Sequence, residues 1–284
     1  MAVTAERVEE NFPRQEIESA VIRFAGDSGD GMQLTGSQFT LATALQGNDL
    51  ATFPDFPAEI RAPTGTTFGV SAFQINFGSK GIQTSGDILD VLIVMNPAAL
   101  KVNINDLRPG GLLIADTGAF SSRNLTKAGY SENPLEGDSL DKFKVLEVDM
   151  SRLTKEAVKE HGLTSKEALR CKNMWSLGLI YWMYGRKRKA TVDWLEDKFK
   201  GKQDIAAANI AAINAGHAFG ETAEMPAEVN PYTIPAAEIA PGLYRTVTGT
   251  EAAAWGLAAG SQLAGLEMAF CSYPITPASA VLHT

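Results

Sequence analysis

Gly26-Asp27-Ser28-Gly29-Asp30-Gly31 stands between an apolar run, Ala20-Val21-Ile22-Arg23-Phe24-Ala25, and a segment with helical character, Met32 to Leu45. Strand, glycine loop, helix is the arrangement that turns backbone N–H groups toward a bound anion. The glycines leave no Cβ in the way and can take positive φ. The spacing is G-x-x-G-x-G, not the G-x-G-x-x-G of dinucleotide-binding loops. By spacing alone the loop serves equally as a phosphate cradle or as a tight βα turn with no ligand. Asp27 and Asp30 bear on the choice: two carboxylates suit a cation and oppose a phosphate unless they turn away.

Outward from the loop, the chain reads as alternating strands and helices. Leu34, Leu41, Ala42 and Leu45 share one helical face, as a helix covering a sheet requires. Gly47-Asn48 stops that helix. Thr52 to Gly65 carries Pro54, Pro57 and Pro63 and reads as a long loop that serves as a ligand or subunit contact or, alternatively, packs on the surface with a Glu59–Arg61 charge pair. Gly69–Phe77 alternates as a strand does. Asp90–Asn96 is a continuous apolar run, the mark of a central parallel strand covered on both faces. Pro97 opens a helix to about Leu107. Arg108-Pro109-Gly110-Gly111 reads as a turn, Leu112–Asp116 and Lys144–Asp149 as further strands.

The fold class expected is therefore α/β: a doubly wound, mainly parallel sheet with helical additions, followed by the start of a second α/β domain. Ligands in such sheets sit beyond the carboxyl ends of the strands, here the Gly26 loop, Asn96-Pro97 and Asp116-Thr117.

The middle is helical. Ser151–His161 is one helix, and the capping box Thr164-Ser165-Lys166-Glu167 opens the next. That helix runs through Met174, Trp175, Leu177, Leu179, Ile180, Trp182 and Met183, apolar around most of its circumference and hence buried. Arg186-Lys187-Arg188-Lys189 reads as a solvated helix C-terminus. Helices at about 191–201 and 204–219 follow. A linker punctuated by Pro226, Pro231, Pro235 and Pro241 marks a domain boundary. Thr248-Gly249-Thr250-Glu251 then caps an Ala/Gly-rich helix to about Leu266, whose small residues suit close packing on a neighbour. Met268–Ser272 reads as a short strand before Tyr273-Pro274-Ile275-Thr276-Pro277-Ala278-Ser279. One βα start cannot bury a core.

Charge and composition exclude several functions. The 284-residue chain has a formal net charge of −8, which argues against non-specific nucleic-acid binding. Two cysteines, Cys171 and Cys271, with no C-x-x-C pair, provide neither a zinc ribbon nor a four-cysteine iron–sulfur site. With no signal peptide the expected compartment is the cytoplasm, and Asn124-Leu125-Thr126 is a coincidental glycosylation match. No run of about 18 apolar residues spans a membrane. His161, His217 and His283 stand alone, so no metal site is expected, and Walker A, G-x-S-x-G and H-E-x-x-H motifs are absent.

Several long segments, in order, resemble one family: GDSGDGMQLTG (26–36), FPDFPAEIRAPTGT (53–66), GVSAFQINFGS (69–79), DVLIVMNPAALKVNI (90–104), RCKNMWSLGLIYWMYGR (170–186) and YPITPAS (273–279). The chain is similar to the α subunit of 2-oxoacid:ferredoxin oxidoreductases in the form that fuses a γ domain ahead of the α domain, most like the 2-oxoglutarate enzymes. The resemblance implies a tail (1–18), a γ domain (19–225), a linker (226–242) and the beginning of an α domain (243–284) that covers the pyrimidine end of thiamine diphosphate. It implies oxidative decarboxylation of a 2-oxoacid, 2-oxoglutarate foremost, to an acyl-CoA, with electrons passed to ferredoxin. The alternative is a non-catalytic γ-type module for CoA binding or assembly.

Thiamine diphosphate, Mg²⁺ and a [4Fe–4S] cluster are implied for the complex, held mostly by a β subunit in an (αβ)2 heteromer, with CoA as substrate. By matching the family's motif, Thr276 takes the role of the threonine whose hydroxyl hydrogen-bonds the oxoacid. Tyr273, Pro274 and Ile275 lie on the thiamine side. Gly26, Ser28, Gly29 and Gly31 form the candidate CoA phosphate loop. The family's thiamine-activating glutamate lies beyond the Y-P-I-T-P motif, past Thr284, so the resemblance implies that this chain does not catalyse alone.

Overall fold

The computed structural model describes residues 13–57, 59, 62–222, 225 and 229–284. In chain order the first unit contains β1 (Gln15–Glu16), β2 (Ser19–Asp27), α1 (Met32–Leu45), β3 (Asp49–Asp55), β4 (Val70–Gly78), β5 (Leu89–Val94), α2 (Pro97–Asn103), β6 (Leu107–Asp116), α3 (Ser122–Ala128), β7 (Lys144–Val148), α4 (Met150–Ala157), α5 (Ser165–Leu169), α6 (Lys172–Met183), α7 (Lys189–Lys198), α8 (Gln203–Thr222) and β8 (Tyr232–Thr233).

The main sheet has the order β3-β4-β2-β5-β6-β7. The strands β2, β5, β6 and β7 run parallel, and β4 lies antiparallel to both β2 and β3. Alternation along the strands divides the core. Ile22, Phe24, Ile93 and Ile114 face a cluster with Phe39 of α1 and Trp175 and Tyr181 of α6. Ala25, Leu92, Val94 and Leu113 face the other way, onto Ala98 and Leu100 of α2 and Phe143. Both faces are covered, which is why β5 is apolar and buried from Val91 to Val94. The connection out of β2 thus runs over one face and that out of β5 over the other. Their carboxyl ends meet at a topological switch point, the usual position of a ligand in such sheets.

Buried α6 crosses α8 at glycines. A Cβ on Gly178 would lie 2.0 Å from the Ile213 carbonyl oxygen, and one on Gly216 would lie 1.9 Å from that of Trp175. Every residue of α6 is buried, as its composition predicts. The capping boxes at Thr164/Glu167 and Thr248/Glu251 both close reciprocally.

Several local expectations are corrected. The single helix expected from Thr164 through Met183 is two, α5 and α6, interrupted at Arg170–Cys171. Thr52–Asp55 belongs to the edge strand β3, paired antiparallel with β4 from Asp49↔Gly78 to Asp55↔Ala72. Its Pro54 is tolerated because an edge strand leaves one row of N–H groups unpaired anyway. Arg108–Gly111 is the start of β6, not a turn. Gly110 there takes φ +73° and donates its N–H to the Lys142 carbonyl at 2.7 Å. Arg186 is not solvated: it is 2 % exposed. The expected Glu59–Arg61 pair lies outside the described residues, since Arg61 is not among them.

The chain divides into two compact units at Ile239/Ala240. Inside the proline-punctuated stretch, Val229 and Ile234 are buried in the first unit, and β8 pairs parallel with β1. The second unit contains α9 (Gly249–Ala264) and α10 (Ala280–His283). No residue of α9 is buried, and nothing packs within 4 Å of a Cβ built on Gly256 or Gly260. Met268–Ser272 forms no strand, because no partner strand is present in its unit to take its backbone hydrogen bonds. No described helix is long and apolar enough to cross a membrane.

Candidate functional site

Asp27 ends β2 and is 8 % exposed. Its Oδ2 accepts the Gly65 N–H at 3.0 Å, which ties the glycine loop to the segment before β4. Burial, and next the neighbouring Asp30 charge, hold the Asp27 carboxyl above the usual range. The Gly65 N–H, the Asn96 side chain and the Lys172 charge pull it down by less. Asp30 folds back, its Oδ2 accepting the Asp27 N–H at 2.8 Å. Both aspartates are therefore partly spent on the loop itself.

Each glycine of the loop has a different reason to be there. A Cβ on Gly26 would lie 2.8 Å from Asp30 Oδ2 and 3.1 Å from Met95. Gly31 caps α1 at φ +77°, and a Cβ there would meet Asn173 Nδ2 at 2.6 Å. Gly29 faces open space. The Ser28 N–H donates to the Gly69 carbonyl at 3.1 Å and the Asp30 N–H to the Asp27 carbonyl at 2.9 Å. The Gly29 and Gly31 N–H groups meet no acceptor among the described residues. Two donors of the loop, beside the positive end of the 14-residue α1, are thus open to an anion.

Beside the loop, the ends of β5 and β6 add a buried polar cluster. Asn96 caps α2, its Oδ1 accepting the Ala99 N–H at 2.8 Å. Asp116 is wholly buried. It accepts from the Ser151 N–H at 3.1 Å, the Ser151 hydroxyl at 2.7 Å and Lys172 Nζ at 2.8 Å. Lys172 also donates to the Met95 carbonyl at 3.3 Å. Asp27 Oδ1 and Asn173 Oδ1 are buried acceptors with no donor among the described residues.

The sequence reading placed Gly26, Ser28, Gly29 and Gly31 together, and they are. It missed Lys172, Asn173 and Asp116 as one cluster. Its available signal was a lysine inside an otherwise apolar helix, which needs a buried carboxylate. Tyr273, Pro274, Ile275 and Thr276 belong to the second unit. Tyr273 is 72 % exposed and Thr276 is exposed. The Ile275 N–H donates to the Tyr273 carbonyl at 2.8 Å, and the Ser279 N–H to the Ile275 carbonyl at 3.0 Å, giving a tight turn.

The described residues do not fit a resident metal or cluster. No group of three His, Cys, Asp or Glu side chains among them is placed to hold an ion. Cys171 is buried, its thiol pushed up to about 11 by burial, while Cys271 is exposed.

A family model described as pyruvate ferredoxin/flavodoxin oxidoreductase matches residues 21–219. The chain is 53 % identical over 270 residues to the 2-oxoglutarate oxidoreductase subunit KorA of Mycobacterium tuberculosis, covering 95 % of this chain and 41 % of that protein. It is structurally similar to a 2-oxoglutarate:ferredoxin oxidoreductase from Magnetococcus marinus with 2-oxoglutarate, coenzyme A and succinyl-CoA bound. There the TM-score is 0.67 and the identity 26 %, over 94 % of this chain and 41 % of that one. A keto/oxoacid ferredoxin oxidoreductase gamma subunit from Geobacter sulfurreducens matches 73 % of this chain and 99 % of its own, with a TM-score of 0.50 and 18 % identity, and shows the fold alone. The chain thus spans about two fifths of the length of the curated relative.

Proposed function

This chain belongs to the pyruvate ferredoxin/flavodoxin oxidoreductase family, and on that premise we propose that it is part of an enzyme that oxidatively decarboxylates 2-oxoglutarate to succinyl-CoA and passes the electrons to ferredoxin. The observation that carries the reading is the match over 94 % of the chain to an oxidoreductase holding that oxoacid and that thioester. The 53 % identity to a 2-oxoglutarate oxidoreductase subunit supports the same substrate.

In this proposal the first unit is a γ-type domain whose Gly26–Gly31 loop takes the phosphates of CoA. Gly29 and Gly31 supply N–H donors, and the positive end of α1 adds its field. The second unit begins an α-type domain. Its Thr276 hydroxyl donates to the oxoacid, and Tyr273, Pro274 and Ile275 face the pyrimidine side of thiamine diphosphate. Thiamine diphosphate, when bound, supplies the carbon chemistry of decarboxylation. Mg²⁺ and the [4Fe–4S] cluster belong to a β subunit, since the described residues here provide no ligand set for either.

The test uses this chain, extended as in its relatives, co-expressed with a β subunit. Reduction of a viologen dye should depend on 2-oxoglutarate, CoA and thiamine diphosphate together. Turnover with pyruvate but not 2-oxoglutarate would refute the substrate. Thr276→Val should lower kcat/KM by about tenfold to a hundredfold through loss of one hydroxyl donor. Its side chain is exposed, so the urea midpoint should stay unchanged.

A further inference from the structure

Two exposed side chains outside the glycine loop, Lys127 of α3 and Phe68, belong to the segments that hold the loop in place. The Gly65 N–H donates to Asp27 Oδ2 at 3.0 Å, and the Thr64 carbonyl accepts from Lys127 Nζ at 2.9 Å. That N–H and that carbonyl belong to one planar peptide unit, so a single rigid link joins Lys127 to the end of β2. The two contacts keep the ammonium within about 9 Å of the Asp27 carboxyl. Gly65 permits the approach: it takes φ +85°, and a Cβ there would lie 3.3 Å from Lys127 Cδ. Among the described residues the ammonium meets this carbonyl and no carboxylate. A carbonyl occupies one of its donors and neutralises none of its charge, so its other donors remain for an anion.

Phe68 lies on the other segment. The Ser28 N–H donates to the Gly69 carbonyl at 3.1 Å, one step beyond the last ladder pair of β2 and β4, Asp27↔Val70. Phe68 is the next residue outward. It is 56 % exposed and pairs with no other ring or cation among the described residues. A lone exposed phenylalanine is ordinary on a surface. Beside a loop whose Gly29 and Gly31 N–H groups are open to a phosphate, it is an aromatic platform within reach of a nucleotide base.

We propose that Phe68 and Lys127 bind the adenosine end of CoA, Phe68 stacking on the adenine and Lys127 pairing with the 3′-phosphate. The inference rests on the reading of the glycine loop as the cradle of the CoA pyrophosphate. CoA carries its pyrophosphate, its 3′-phosphate and its adenine on one ribose, so the three groups fall within a short span. Backbone N–H groups suit the pyrophosphate. The 3′-phosphate is a monoester with nearly two negative charges at pH 7, which suits an ammonium. Lys127 thereby distinguishes CoA from nucleotides that lack this group.

The test is isothermal titration of the 284-residue chain with CoA and, separately, with dephospho-CoA, which lacks the 3′-phosphate. The parent should bind CoA about tenfold more tightly. Lys127→Gln keeps a donor for the Thr64 carbonyl and removes the charge. It should lower CoA affinity to that of dephospho-CoA and leave dephospho-CoA binding unchanged. Phe68→Ala should weaken both ligands about tenfold. Both side chains are exposed, so the urea midpoints should match the parent. Unchanged CoA affinity in Lys127→Gln, or an equal loss for both ligands, overturns the contact to the 3′-phosphate. Unchanged binding in Phe68→Ala overturns the stacking. In either case Gly29→Val still weakens both ligands and the reading of the loop stands. No CoA binding by the parent, or full binding in Gly29→Val, refutes the loop reading and this inference with it.

Discussion

Lys172 Nζ lies 2.8 Å from Asp116 Oδ2, an ion pair between the first residue of α6 and the last residue of β6, with the carboxylate wholly out of solvent. It fastens the helix layer to the carboxyl edge of the sheet, beside the glycine loop. Removing one partner strands a buried charge. Lys172→Met should destabilise the chain by about 3–5 kcal/mol in urea denaturation. Asp116→Asn combined with Lys172→Met should recover part of that loss, because the amide can still accept from Ser151. Equal loss in the single and double variants would show that the pair contributes packing and not charge.

Glycine at the α6–α8 crossing is required by contact and not by conformation. Neither Gly178 nor Gly216 has positive φ, yet a Cβ on either falls about 2 Å from a backbone oxygen of the other helix. Gly216→Ala should therefore force the helices apart and cost about 3 kcal/mol or more. Gly29→Ala, where a Cβ meets nothing within 4 Å, should stay within about 0.5 kcal/mol of the parent. Thermal or urea midpoints of the two variants check the contrast.

That same openness makes Gly29 a clean probe of CoA binding. Gly29→Val crowds the two free N–H groups of the loop while leaving the core alone. CoA affinity by calorimetry should fall about tenfold. Gly31→Ala is the less informative variant, since it combines strain at φ +77° with a clash on Asn173. An unchanged CoA isotherm in Gly29→Val would leave the loop as a turn with no phosphate role.

His217 gives the chain an acid sensitivity. Burial, and then the charges of Arg188 and Arg14, lower its imidazole to about 4, and Glu221 at 3.2 Å does not offset them. The unfolded chain takes up this proton near pH 6.5 and the folded one only near 4. Between those values the unfolded state binds more protons, so stability falls as pH drops through the window and levels off below it. The loss is on the order of 3 kcal/mol. A His217→Gln variant, compared with the parent in urea at pH 7 and pH 4.5, should lose less on acidification. Parallel losses in both would assign the effect to other groups.

The central strands and helices were legible because their signals are local. The apolar run at β5 needs both faces covered wherever it sits, and the all-apolar α6 has no stable place except a core. The glycine loop was legible as a loop for the same reason: Gly31 needs its left-handed φ irrespective of the rest. The edge strand β3 was not, because Pro54 argues locally for a turn and only the ladder with β4 outweighs it. Of the site, the glycines were readable and their neighbours were not. Asp116 and Lys172 are 56 positions apart and meet only when β6 and α6 close on one edge.

Order along the chain therefore determined the fold class, the strand ends that form the crevice, and the residues of the glycine loop, since each follows from periodicity and from backbone freedom over a few residues. Tertiary structure alone decided which charges are buried. Arg186 reads as the start of a solvated basic run until Phe39 of α1 and Phe77 of β4 close over it. The penalty for burying a cation comes from how completely water is excluded, which is a property of packing in three dimensions.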